Sequence, residues 1–269
     1  MRGATYDVHA LRYASRTCQQ DEVFLRAGTD GTTADDTLGL DYYFWLVRNE
    51  ARTVLVDCGF DRDRGAARNR FQDTDPLELL AQMGVRPEDV DHVVVTHMHY
   101  DHVGNVARFP NATVSLAREE YDFWCGPESD PGRLGTVVNA NEVEIVRRLA
   151  REQRVRLVDG AEGLFPGLSV TRLGGHTPGQ MMVEVDTGAG QVVLASDAAH
   201  YYEELEHDRP FSLFTSLPDM YRAYDVLRER AGRPRTTVVA GHDPRVRSSF
   251  REVRPDCLDL TAPATEPQS

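Results

Sequence analysis

No run in this 269-residue chain approaches the roughly 18 consecutive apolar residues that a membrane-spanning helix needs. Residues 1–20 contain no apolar core of the kind a secretory signal carries. Both absences lead to the expectation of a soluble, cytoplasmic protein with no membrane partner. Cysteine is scarce: Cys18, Cys58, Cys125 and Cys257 make neither a C-x-x-C pair nor a zinc-finger spacing, and read as free thiols of a reducing compartment. Basic charge is in deficit, with 30 Lys and Arg against 43 Asp and Glu and a formal net charge of −13. A nucleic-acid binder concentrates basic side chains to neutralise phosphates. The densest basic group here, Arg147, Arg148, Arg151 and Arg154, is interleaved with Glu142, Glu144 and Glu152 and reads as a solvated helix face. No strand-like run is followed by a dinucleotide fingerprint or a P-loop, and no repeat of short period is present.

The length suits one large domain or two small ones, and a chain of this size buries about three quarters of the surface its unfolded form exposes. Folding therefore needs neither disulfides nor a metal, and any metal site is read first as functional. Short apolar, β-branched runs bounded by Gly, Asp, Asn or Pro predict strands at Tyr42–Val47, Thr53–Val56, His92–Thr96, Ala112–Leu116, Leu168–Leu173, Met181–Val185, Gln191–Ala195 and Thr236–Ala240. Helices are expected at Pro76–Met83, capped by Thr74-Asp75 and ended by Gly84, and at Asn139–Arg151 and Asp219–Arg230. Strands interleaved with helices argue for a layered α/β fold. Residues 26–41, rich in Gly, Asp and Thr, read as a loop. No interdomain linker is evident, so residues 1–260 are expected to form a single domain, with the small, polar tail 261–269 disordered.

The decisive segment is Asp91-His92-Val93-Val94-Val95-Thr96-His97-Met98-His99-Tyr100-Asp101-His102-Val103-Gly104-Asn105. A buried-strand run ends in three imidazoles and a carboxylate within six residues. Such a group is costly to pack without a purpose, and imidazole nitrogen and carboxylate oxygen are natural ligands of zinc and similar ions. If the chain is still extended at His97-x-His99, both rings point the same way, and a following turn brings Asp101 and His102 alongside. The pattern can serve two metals.

His97-x-His99-x-Asp101-His102 resembles the hallmark of the metallo-β-lactamase superfamily. That resemblance asks for a later His, Asp and His, each at a strand end. His176 in Gly174-Gly175-His176-Thr177-Pro178-Gly179, Asp197 in Ser196-Asp197-Ala198 and His242 in Ala240-Gly241-His242-Asp243-Pro244 meet the request. The resemblance spans roughly Tyr42 to Arg247. It implies an α/β fold of the αββα kind, two mixed β-sheets face to face with helices outside and metals at one edge. It further implies that His97, His99 and His176 hold a first metal, that Asp101, His102 and His242 hold a second, and that Asp197 bridges them. Asp57, in Leu55-Val56-Asp57-Cys58-Gly59, matches a strand-end Asp that supports the site without binding metal. Two divalent ions are implied, zinc by default, with iron, manganese or cobalt as alternatives. Asp101, Asp197 and a bridging hydroxide would offset three of the four positive charges, leaving a site suited to polarising a carbonyl and generating a metal-hydroxide nucleophile.

Within the superfamily, a nuclease conflicts with the net charge of −13. Neither Cys58 nor Cys125 lies where cysteine-ligated β-lactamases place theirs. Oxygen-reducing di-iron members carry Glu where this chain has His99. Thr96-His97 through Asn105, Gly175-His176-Thr177-Pro178-Gly179 and Ser196-Asp197-Ala198-Ala199 are most similar to the N-acyl-homoserine-lactone lactonases. The resemblance thus implies quorum-quenching hydrolysis of a small lactone or ester, with a glyoxalase-II-like thioesterase, or a non-catalytic or redox metal protein on the same scaffold, as alternatives. One position departs: where that branch has Tyr three residues after the bridging Asp, this chain has His200, followed by Tyr201 and Tyr202. Either His200 takes the tyrosine's place as a proton or hydrogen-bond donor, or Tyr201 or Tyr202 swings in, with His200 the expected catalytic residue; Asp101 is expected to shuttle the proton of the attacking water. A homodimer stays an open expectation. His9, His92 and His207 stand outside any motif and read as structural or surface residues. Tyr42-Tyr43-Phe44-Trp45 reads as core in preference to a substrate wall, and Tyr121, Phe123, Trp124, Phe211, Leu213 and Phe214 are candidates for an acyl pocket or, equally, for anchoring surface loops.

Overall fold

The computed structural model describes residues 4–27, 36–127, 129, 137–138 and 140–263. Within them the strands are β1 (Asp7–Gln19), β2 (Thr37–Asn49), β3 (Arg52–Val56), β4 (His92–Val94), β5 (Thr113–Ala117), β6 (Val155–Val158), β7 (Ala161–Phe165), β8 (Leu168–Arg172), β9 (Met181–Asp186), β10 (Gln191–Ser196), β11 (Thr236–Ala240), β12 (Phe250–Arg254) and β13 (Cys257–Pro263). They form one sheet in the order β12-β13-β1-β2-β3-β4-β5-β6 and a second in the order β11-β10-β9-β8-β7. Both sheets are mixed: β3 to β6 run parallel and β1 to β3 antiparallel, while β10 pairs parallel with β11 and antiparallel with β9.

Strand β2 shows why the layers stack. Side chains alternate across a sheet, and here both sets are apolar. Tyr43, Trp45 and Val47 meet Val170, Met181, Val183, Val192 and Leu194 of the second sheet in a core between the sheets. Tyr42, Phe44 and Leu46 face the other way, onto a core that takes Leu79 and Leu80 from helix Pro76–Gln82 and Val143, Val146 and Leu149 from helix Ala140–Arg151. On the far side of the second sheet, Met182, Val193 and Ala195 are covered by Ala223 and Leu227 of helix Leu217–Ala231. The result is an αββα sandwich. A strand buried on both faces reads as a continuous apolar run, which is how the Tyr42–Val47 part of β2 reads in the sequence.

The expected strands all form; Thr236–Ala240 has the expected bounds, and the others differ at one or both ends. The first helix begins where Asp75 accepts the Leu77 N–H at 2.8 Å. The third begins at Leu217, two residues before the expected start, because Ser216 caps it and Pro218 suits its first turn. Asn139 lies outside the described residues, and that helix is described from Ala140.

Five strands have no counterpart in the sequence reading: β1, β6, β7, β12 and β13. In β1, a register shift between Arg12 and Ala14 breaks the two-residue alternation that marks a strand. β12 (FREVR) is an edge strand, with mostly exposed, charged side chains. The loop expected over 26–41 is corrected in its second half, since Thr37–Asp41 belongs to β2, paired with Ser15–Gln19 of β1; residues 28–35 lie outside the described residues. The tail boundary at Thr261 falls inside β13, which runs to Pro263 and pairs with β12; residues 264–269 lie outside the described residues. No helix among the described residues is long and apolar enough to cross a membrane.

The residues singled out by the sequence lie beyond the C-terminal ends of β3, β4, β8, β10 and β11. The sandwich brings these ends to one edge.

Candidate metal centre

The first organiser of this edge is Asp57, which follows β3 with a left-handed backbone (φ 59°) and is fully buried. A left-handed conformation is costly for a non-glycine residue and persists where the surroundings over-determine it. Oδ1 accepts the Thr96 N–H at 2.8 Å, and Oδ2 accepts Thr96 Oγ1 at 2.8 Å and His102 Nδ1 at 2.7 Å. Ser196 Oγ, at the end of β10, lies 3.2 Å from the same oxygen. One carboxylate thereby ties the ends of β3, β4 and β10, and β4 stops because the Thr96 amide is turned to Asp57.

The hydrogen-bond network assigns the protons on four imidazoles. Carbonyl and carboxylate oxygens only accept, so His176 donates from Nδ1 to the Leu213 carbonyl (2.9 Å), His242 from Nδ1 to the Asp41 carbonyl (2.7 Å) and His102 from Nδ1 to Asp57. The Thr96 hydroxyl proton goes to Asp57, so His97 Nδ1 donates to Thr96 Oγ1 at 3.2 Å. All four rings present a bare Nε2 to the same space. Asp197 stands in the middle. Its Oδ1 is 3.2 Å from His102 Nε2 and 3.1 Å from His242 Nε2, while its Oδ2 is 3.2 Å from His176 Nε2 and 3.6 Å from His97 Nε2. His99 turns Nδ1 to within 2.9 Å of His176 Nε2.

These donors fall into two groups, His97, His99, His176 and Asp197, and Asp101, His102 and His242, each with ligand atoms within 4.8 Å of one another. His97 Nε2, His102 Nε2 and Asp197 Oδ1 are buried without a hydrogen-bond partner among the described residues. Buried lone pairs left facing one another are costly unless a cation lies between them. The electrostatics agree. Burial and the neighbouring imidazoles push the pKa of His97 and His99 well below the usual histidine range, so both rings are neutral, the form that binds metal. At His102 burial is outweighed by Asp197, Asp57 and Asp101, which raise its pKa: the three carboxylates ask for positive charge there. The residues present fit two divalent cations.

The sequence also pointed to His200, Tyr201 and Tyr202. The His200 ring is buried, with Nε2 3.0 Å from Asp197 Oδ2 and Nδ1 3.3 Å from Glu204 Oε1, and it stacks on Phe211 at 3.6 Å. Burial lowers its pKa, but Asp197 and Glu204 prevail and raise it to about 9. Tyr201 turns away: its hydroxyl donates to the Gly39 carbonyl at 3.0 Å. The Tyr202 ring lies under the Arg245 guanidinium. His200 faces a cavity of about 670 Å³ with His99, Asp101, His176, Asp197 and His242 on its wall, and neither tyrosine is among its described lining residues. Phe211 and Leu213 line it, as does Tyr42, whose ring edge packs on His242 at 5.3 Å, so one residue of the expected core run is also cavity wall. Trp124 is buried, and Phe123 and Phe214 are not among the cavity's described lining residues. Of the histidines set aside, His92 is buried against Ser115 Oγ (2.9 Å) and His207 is exposed.

Glu142, expected on a solvated helix face, is buried, and sequence reasoning missed two buried carboxylates that brace this site, Glu120 and Glu204. Glu120, in helix Arg118–Cys125, accepts the Met98 N–H (2.8 Å) and Trp124 Nε1 (2.7 Å) on one oxygen and the Gly179 N–H (2.8 Å) on the other. It joins the turn carrying His97 and His99 to the loop carrying His176. That loop needs glycine at Gly175, where φ is 93° and a Cβ would lie 2.7 Å from the Met220 amide nitrogen. Glu204 accepts the Tyr201 N–H (2.9 Å) and the Tyr224 hydroxyl (2.6 Å) while facing His200. In sequence both sit in acidic helical stretches that look solvated, and no local signal distinguishes them.

A family model described as the metallo-beta-lactamase superfamily matches residues 39–242. The N-acyl homoserine lactonase AttM of Azorhizobium caulinodans is 31% identical over 196 residues, which cover 67% of this chain and 68% of that protein. An N-acyl homoserine lactonase of Bacillus cereus is 24% identical over 229 residues, covering 78% and 84%. A crystal structure of a quorum-quenching N-acyl homoserine lactone lactonase superposes with a TM-score of 0.76 at 20% identity, over 94% of this chain and 98% of that one. AidC, a dizinc quorum-quenching lactonase in complex with a product, gives a TM-score of 0.74 at 18% identity, over 100% and 97%. At these identities the solved structures speak for the fold.

Proposed function

This chain belongs to the metallo-beta-lactamase superfamily, and we propose that it is a dinuclear metal-dependent hydrolase that opens the ring ester of a small lactone of the N-acyl-homoserine-lactone kind. The observation that carries this reading is the placement of Asp197, whose two oxygens face two separate sets of bare imidazole nitrogens on the floor of one cavity. A purely structural zinc site is a closed set of four ligands; seven converging donors with a central carboxylate make a two-ion site open to a ligand. His97, His99 and His176 would hold one ion, Asp101, His102 and His242 the other, and Asp197 both. The N and O donors suit zinc, with iron, manganese or cobalt as substitutes.

When bound, the ions supply Lewis acidity, polarising a carbonyl and lowering the pKa of water toward about 7. The chain's own groups do the rest. Nδ1 bonds to Thr96, Asp57, Leu213 and Asp41 hold four rings in the ligand tautomer. Asp101, on the cavity wall, accepts the proton of the attacking water on a carboxylate oxygen and hands it on. Ring opening then expels an alkoxide, a poor leaving group at neutral pH, and His200 protonates it. Glu204 and the stacked Phe211 fix that ring's orientation. Phe211, Leu213 and Tyr42 give the wall an apolar surface for the acyl part of the substrate.

The four cysteines are buried and free, which supports a reducing cytoplasm as its place of work. We take residues 1–260 as a single catalytic domain with no nucleic-acid partner, and a homodimer as compatible with it. Elemental analysis after gentle purification, combined with a panel of lactones and thioesters, tests the reading. About two ions per chain and turnover of lactones are expected; a stable, active enzyme with one ion per chain defeats the dinuclear model, and turnover of thioesters alone defeats the lactonase one.

A further inference from the structure

The cavity above the metal centre has a second wall that the hydrolysis does not use. Arg16, near the end of β1, and Arg68 and Arg70, in the turn after helix Arg62–Ala67, line it together with Glu22. Among its described residues this wall carries three guanidiniums and one carboxylate, on a chain whose net charge is −13. The turn is rigidly built: Asp61 caps the helix, Asn69 takes a left-handed φ of 57°, and the Arg70 amide closes on the Gly65 carbonyl at 2.8 Å. Arg70 Nη1 is oriented by the carbonyls of Arg68 and Asn69, and no ion pair to Arg70 is present among the described residues. Arg16 pairs through Nη1 with Glu22 at 2.9 Å, yet its Nε is buried without a hydrogen-bond partner among the described residues. The Arg68 guanidinium lies over the Tyr100 ring at 4.5 Å, and Tyr100 precedes Asp101 directly. Tyr42 spans the two walls, with its ring edge on His242 and its phenol within electrostatic reach of Arg16 and Arg70.

A purely alkyl acyl chain gains nothing from desolvating guanidiniums. A planar carboxylate matches the fork geometry of arginine, and a cationic cleft on an acidic protein concentrates anions against the protein's overall repulsion. We infer that the substrate is anionic: a lactone whose acyl part ends in a carboxylate, held by the Arg16–Arg68–Arg70 wall while the ring ester lies at the metal centre. This rests on the lactonase reading and names its substrate class.

The test compares two lactones of equal acyl length on the metal-loaded enzyme: N-hexanoyl-homoserine lactone, which is neutral, and N-adipoyl-homoserine lactone, which carries a terminal carboxylate. The wild-type kcat/KM is expected to favour the adipoyl compound by at least about tenfold, the lower end for a hydrogen bond to a charged group. Arg16→Gln and Arg70→Gln should each lower the adipoyl-to-hexanoyl ratio by about tenfold with metal content unchanged, and the ratio should shrink between about 0.01 and 1 M salt, as the screening length falls from about 30 to 3 Å. A wild-type preference for the hexanoyl compound, or a ratio that neither substitution moves, overturns the inference. The same acyl pair on the lactam ring, measured by calorimetry, reads binding without turnover. If neither lactone is hydrolysed but the adipoyl lactam binds more tightly and loses that advantage in the variants, the anion wall stands and the lactonase reading falls. Equal binding of the two lactams sinks the anion wall whatever the turnover.

Discussion

Glu120→Gln keeps the shape of a buried side chain and changes one oxygen into an NH₂ group. Glu120 now receives three donors: Met98 N–H and Trp124 Nε1–H on Oε1 and Gly179 N–H on Oε2. The amide oxygen can retain the first two. The new NH₂ then faces the Gly179 N–H, donor against donor, and both groups lose their partner in a site closed to water. An orphaned buried donor costs about 1–3 kcal/mol, so the gross loss is about 2–6 kcal/mol. A neutral amide escapes the cost of burying a charge, which in Glu120 is large enough to raise its pKa despite the N–H donors. We therefore expect a net loss of about 2–3 kcal/mol. For a chain of this length one kcal/mol moves Tm by about 2 °C, so the metal-free variant should melt about 4–6 °C below the metal-free wild type. Chelated protein is the right sample, because bound ions stabilise the native state and would mask the difference. The same substitution should loosen the His97–His99 turn against the His176 loop and weaken metal binding by about ten- to a hundredfold, read by competition with a chromophoric chelator. A Tm within about 1 °C of wild type, together with unchanged metal affinity, would refute the claim that Glu120 joins these two loops.

Three further outcomes are expected. Asp197→Ala should abolish hydrolysis, since it removes the central carboxylate, while Cys58→Ser should not, because a hydroxyl can still donate to the His102 carbonyl that Cys58 Sγ reaches at 3.0 Å; the reverse pattern in a lactonase assay would move the chemistry to a thiol. His200→Ala should lower kcat by about a hundred- to ten-thousandfold, the range for general-acid assistance, with metal content intact, and an unchanged kcat would remove His200 from the mechanism. Burial lowers the His92 pKa from 6.5 to about 4, with the Arg156 and Arg52 charges pushing the same way. Between those values the unfolded chain binds a proton that the native chain does not, so stability falls as pH drops from about 6.5 to 4, by about 3 kcal/mol in all. Urea titrations across that range should show His92→Gln losing part of the slope; an identical slope would contradict the assignment.

Much of the site was legible because its chemistry is local or sits at recognisable strand ends. His97, His99, Asp101 and His102 lie within six residues after an apolar run, and no core or surface role easily accounts for so many donors there. His176, Asp197 and His242 each follow a strand-like run, and the fold places all seven at one edge of the sandwich. Thr37–Asp41 was read as loop, but the Tyr42–Val47 part of β2 was legible for a similar reason, since a stretch covered on both faces must be apolar. β1 was not, because its bulge breaks the alternation, and β12 was not, because an edge strand keeps charged side chains in water. Glu120 and Glu204 are the clearest cases of what sequence withholds. Each looks like any acidic residue on a helix, and only the packing of that helix against distant loops turns it inward onto amide, indole and phenol donors. The arginine wall is of the same kind. Arg16 lies more than fifty residues before Arg68 and Arg70, and nothing in their local patterns joins them. Residue type and strand-end position are properties of the chain itself, and they determined where the metal-binding chemistry had to lie. Which charges share a cavity depends on contacts between segments far apart in sequence, so only the tertiary structure decided what stands around that chemistry.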